Sequence, residues 1–96
     1  PGEASVGLRV RELTEAERAE AGVAGGVVVV SVQEGSAAQE TGLQAGDVIE
    51  EVGGRPVGSA AAFARAVREA RDSGKRNAVL LVTREGGTRY VPLRLE

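Results

Sequence analysis

Ninety-six residues are enough for one domain with a modest core and no disulfide or metal to staple it. Hydrophobic residues make up 42% and charged residues 27%, a globular balance, and a net charge of -2 gives no attraction to nucleic acid or anionic membranes. Neither histidine nor cysteine occurs, which removes thiolate chemistry, the commonest metal ligand and any Ser-His-Asp relay, so no cofactor or metal is expected.

Pro1 to Ser5 reads as a polar lead-in, with 1–4 a linker or remnant and a domain over 5–96. Val6 to Arg11 alternates apolar and polar residues and predicts a half-buried strand, with Val6, Leu8 and Val10 on one face. Gly7 lets the backbone turn where a Cβ would obstruct it. Thr14 with Glu17 is a capping box opening a short helix that Gly22 closes. Val27 to Val32, nearly all apolar and β-branched, is a central strand. Its apolar run is far shorter than the ~20 residues of a membrane helix.

The stretch from Glu34 to Val57 predicts a helical turn, a loop and a strand. Ser36 and Gln39 form a second capping box, Gly42 a left-handed stop, Leu43 an apolar plug, and Gly46-Asp47 a turn feeding Val48, Ile49 and Val52. Ser59 caps the longest helix, Ala60 to about Asp72, whose Phe63, Ala66, Val67 and Ala70 face the core. Ala60, Ala64 and Val67 form an adjoining stripe of small side chains. Ala78 to Arg84 and Arg89 to Leu95 are strands joined through Gly86-Gly87, and Pro92 belongs at an edge or bulge. Five or six short strands and two or three helices without βαβ alternation describe an α+β domain, a partly open antiparallel sheet or barrel capped by the Ser59 helix.

Catalysis finds no support in these residues. Without histidine, Ser36 and Ser59 are better explained as helix caps than as nucleophiles. Glu50 and Glu51, neighbours on a strand, point to opposite faces and cannot share a proton. The glycines of Gly22 to Gly26 precede a strand rather than a helix, unlike a phosphate loop. One constellation suits binding: an apolar strand edge at Val6-Gly7-Leu8 beside a helix of small residues frames a groove for an extended peptide. On residue types alone, the same positions also serve as ordinary core and good helix formers.

The run Gly35-Ser36-Ala37-Ala38, then Gly42-Leu43-Gln44-Ala45-Gly46-Asp47-Val48-Ile49, resembles a PDZ domain. It is most similar to the PDZ domains of HtrA/Deg (Do-like) periplasmic serine proteases. The turn Gly54-Arg55-Pro56-Val57, Phe63 at the fourth position of a Ser-capped helix and the closing hairpin extend the resemblance from Ser5 to the end. The helix after Thr14 is similar to the second, C-terminal PDZ domain of those proteases.

The resemblance implies a circularly permuted PDZ fold with Ser5, Val6, Gly7 and Leu8 at the carboxylate-binding loop. Val10, Ala60, Ala64 and Val67 would line the groove. It implies a non-catalytic module that captures apolar C-termini or unfolded segments by strand addition, regulating a periplasmic serine endopeptidase in protein quality control. Partners would be such peptides and other domains or subunits of the protease, with no nucleic acid and no membrane insertion. Two departures stand out. Glu3 is the only charge ahead of the loop and would repel a carboxylate, and Ala60 replaces the histidine with which some PDZ domains read a hydroxyl. Small or medium apolar termini are therefore expected. The alternative is an oligomer-assembly or inter-domain docking domain that uses the groove little.

Overall fold

A computed structural model describes the backbone of residues 3–4, 7–85 and 87–95, and the side chains from residue 7 onward within these ranges. Ser5, Val6 and Gly86, each singled out from the sequence, lie outside the described residues. The elements run β1 (Glu3–Ala4), β2 (Leu8–Glu12), α1 (Glu15–Ala21), β3 (Val27–Val32), α2 (Ala37–Thr41), β4 (Val48–Val52), β5 (Arg55–Pro56), α3 (Ala60–Asp72), β6 (Asn77–Arg84) and β7 (Gly87–Arg94). Every strand pair is antiparallel, in the order β1-β2-β3-β4-β6-β7, with β5 against β4. β1 is a two-residue strand inside the stretch read as a lead-in.

The helices begin where side-chain oxygens satisfy free backbone N–H groups. At α1 the capping box is complete: the Glu17 N–H donates to Thr14 Oγ1 at 3.1 Å and the Thr14 N–H to Glu17 Oε1 at 2.9 Å. At α2 only half of the expected box forms. The Gln39 N–H donates to Ser36 Oγ, but Gln39 Oε1 accepts from the Gly35 N–H at 2.7 Å instead of from Ser36. Gly22 and Gly42 end their helices at φ +74° and +93°, the left-handed conformation that spares only glycine a steric cost. At α3 Ser59 Oγ accepts from the Ala62 N–H at 3.1 Å.

Two bulges break the strict alternation of the sheet. Between β2 and β3 the register steps from Arg9↔Ser31 to Val10↔Val29, so Val30 is the extra residue and is 44% exposed. Between β4 and β6 it steps from Ile49↔Val82 to Glu51↔Leu81, leaving Glu50 as the extra residue. The Glu50 carbonyl then accepts from the Val57 N–H, which anchors the return from β5. The closing hairpin also differs from expectation. β7 begins at Gly87, paired with Arg84, so Gly87 belongs to the strand and not to the turn. Pairing of Thr83 with Thr88 shifts the turn by one residue, at the expense of a positive φ of 48° at Glu85.

One aliphatic core joins the sheet to α3. Phe63 is fully buried at its centre, among Leu8, Val29, Ile49, Leu80, Val82 and Leu93. Of the stripe expected to face inward from α3, Phe63, Ala66 and Val67 are buried, and Ala70 packs partly buried at the margin.

Candidate functional site

β2 and α3 lie side by side at one end of the sheet, so the strand and helix expected to frame a groove do come together. Leu8, Val10 and Val67 belong to the continuous core and are at most 5% exposed. Ala60 and Ala64 are half-buried along the helix, with Ala60 packed against the core margin. Ala60 and Ala64 thus present two small side chains along α3, while Leu8, Val10 and Val67 belong to the core.

Gly7 stands at the head of β2. Its φ is +90°, and a Cβ there would lie 2.3 Å from the Cβ of Ser36, well inside van der Waals contact. Its carbonyl accepts from the Gln33 N–H at 2.8 Å, which fixes the loop against the end of β3. The sequence marks Gly7 as a place where a Cβ would obstruct. The obstructing group, Ser36 at the cap of α2, emerges from the fold.

The loop from Gly42 to Asp47 acts as a brace. Asp47 is 2% exposed and accepts from Arg84 Nε at 2.7 Å and Nη2 at 2.6 Å, and from the Gln44 N–H at 3.0 Å. Arg84 Nη2 also reaches the Gly42 carbonyl at 3.0 Å. Burial by itself pushes the Asp47 carboxyl up, but the Arg84 guanidinium and the Gln44 N–H outweigh it and hold the group below its usual range. The backbone continues the brace into the sheet, since the Gly46 N–H donates to the Val29 carbonyl and the Val29 N–H to the Asp47 carbonyl.

Among the described residues, no buried side-chain polar atom lacks a hydrogen-bond partner. Ser36 and Ser59 accept helix N–H groups, as expected of caps. The Thr83 hydroxyl donates to the Glu50 carboxylate. No cluster of three or more acidic residues is arranged to hold a metal ion among the described residues. No helix among them is long and apolar enough to cross a membrane. The feature that sequence reasoning missed is β1 itself, because two residues are too few to show a period.

Comparison with known proteins gives a consistent family. The PDZ domain family matches residues 28–82. A probable periplasmic serine endoprotease, DegP-like, of Hahella chejuensis is 37% identical over 95 residues, covering 99% of this chain and 20% of that protein. A protein of the same description from Pseudomonas putida is 32% identical over 90 residues, covering 94% of this chain and 18% of its own length. This chain thus spans about a fifth of these relatives. The crystal structure of the HtrA3 PDZ domain bound to a phage-derived ligand, FGRWV, superposes with a TM-score of 0.76 at 27% identity, over 96% of this chain and 84% of that one. The HtrA-type protease AlgW with a decapeptide shares the fold, with a TM-score of 0.70 at 22% identity over 93% of this chain and 27% of that one.

Proposed function

The chain belongs to the PDZ domain family, a family of binding modules rather than catalysts, and from that premise we propose that it captures peptides as an added strand between β2 and α3. The observation that carries the reading is the juxtaposition of β2, headed by a glycine held at φ +90°, with the small side chains of Ala60 and Ala64 on α3. The HtrA3 PDZ domain, a structural relative, holds a five-residue ligand ending in valine. By the same logic the loop 5–8 of this chain, with the N–H groups of Gly7 and Leu8, receives the peptide carboxylate. Ala60 and Ala64 leave room for a small or medium apolar terminal side chain. The host protein is a periplasmic serine endoprotease of the DegP-like kind, and this domain regulates it by recruiting apolar C-termini or unfolded segments.

A module of this size binds weakly, at micromolar affinity or about -8 kcal/mol. Titration calorimetry of this chain with FGRWV and with its C-terminal amide tests the reading. The free acid is expected to bind at least about tenfold more tightly than the amide, since a charge-assisted bond to backbone N–H groups is lost in the latter. An Ala64→Glu variant with unchanged thermal stability should weaken both. Equal binding of acid and amide would remove the carboxylate role, and no binding of either would remove the peptide groove.

A further inference from the structure

A strand in a sheet offers hydrogen-bonding groups along two edges and no more. On β2 one edge is taken by β3, from Leu8↔Val32 to Glu12↔Val27. The other edge is taken at its loop end by β1, with Ala4 opposite Leu8 and Glu3 opposite Arg9. α3 runs beside β1 as well as beside β2. Glu3 and Ala4 therefore lie where a peptide would have to lie to extend the sheet between strand and helix.

We infer that the segment leading into Gly7 is a built-in competitor: Glu3–Ala4 occupies the β2 edge at the loop end of the groove, and a peptide must displace it. The inference rests on the reading of the groove as a peptide site. Strand addition draws most of its affinity from main-chain hydrogen bonds, and the groups that β2 turns toward β1 cannot serve two partners at once. Only residues 5–7 separate Ala4 from Leu8, so the tethered strand acts at a high local concentration. Two residues make a weak latch, however. The segment therefore scales the apparent affinity by the fraction of open molecules, by about tenfold, rather than abolishing binding.

The chain contains no cysteine, which allows one engineered disulfide to lock the latch. Glu3 and Arg9 are cross-strand partners, and such residues sit about 4.5–5.5 Å apart at Cα, within disulfide reach. The full chain carrying Glu3→Cys and Arg9→Cys should bind FGRWV at least about tenfold more weakly when oxidised than when reduced. A second full-length variant, Glu3→Pro with Ala4→Pro, removes both N–H groups of β1 and should bind several-fold more tightly than the unaltered chain. Equal affinity of the oxidised and reduced forms, or no gain in the proline variant, would overturn the competitor while leaving the groove intact. If the unaltered chain, the reduced form and the proline variant all fail to bind, the peptide groove falls and the competitor falls with it.

Discussion

Gly7 and Asp47 are single residues on which the architecture depends for different reasons. At Gly7 two costs coincide, a left-handed backbone and a Cβ that would collide with Ser36. Gly22 shares only the first, since nothing lies within 4 Å of a Cβ built there. Gly7→Ala is therefore expected to destabilise the fold by about 2–4 kcal/mol and Gly22→Ala by only about 1 kcal/mol, as urea unfolding of the two variants would show. Asp47 is buried between Arg84 and the Gln44 N–H. Asp47→Ala leaves the N–H unpaired and a partly buried guanidinium with only the Gly42 carbonyl, and should cost about 2–3 kcal/mol by the same measurement. The aspartate was legible in the sequence as a turn residue before a strand. Its arginine was not, because the pair spans 37 positions and no local pattern links them.

Among the helices, α1 is the one without a buried residue. It is held by its capping box, its glycine stop and the paired Arg11–Glu17 side chains. The Arg11 hydrogen bonds, with help from the Thr14 N–H, lower the Glu17 carboxyl from its usual 4.5 to about 2. Because the folded value lies below the unfolded one, this support is complete above the unfolded value and is lost as pH falls from about 4.5 to about 2. Protection factors of the α1 amides, taken relative to the intrinsic exchange rate at each pH, should fall across that window while those of β3 and β6 persist, as hydrogen exchange followed by NMR would show. Uniform protection down to pH 2 would contradict the capping account. The helices were the most legible elements, since a cap and its target lie three residues apart. The bulges at Val30 and Glu50 were not legible, because each is defined by the strand opposite rather than by the strand that carries it.

For the molecule as a whole, an aliphatic core closes on one buried aromatic, Phe63. Phe63→Ala should cost about 3–5 kcal/mol, a large part of the 5–15 kcal/mol typical of a domain, and lower the urea midpoint without changing its slope. Residue order alone carried the α+β class, the spans of β3 and α3, the caps at Thr14, Ser36 and Ser59, and the resemblance to PDZ domains. All of these rest on periodicity or on hydrogen bonds between near neighbours, and both are written along the chain. The collision partner of Gly7, the arginine of Asp47 and the strand on the outer edge of β2 became visible once the sheet was assembled. Each joins groups whose meeting depends on how separate segments pack. The edge of β2 matters most for function, because it shows the proposed groove already paired with the chain's own backbone.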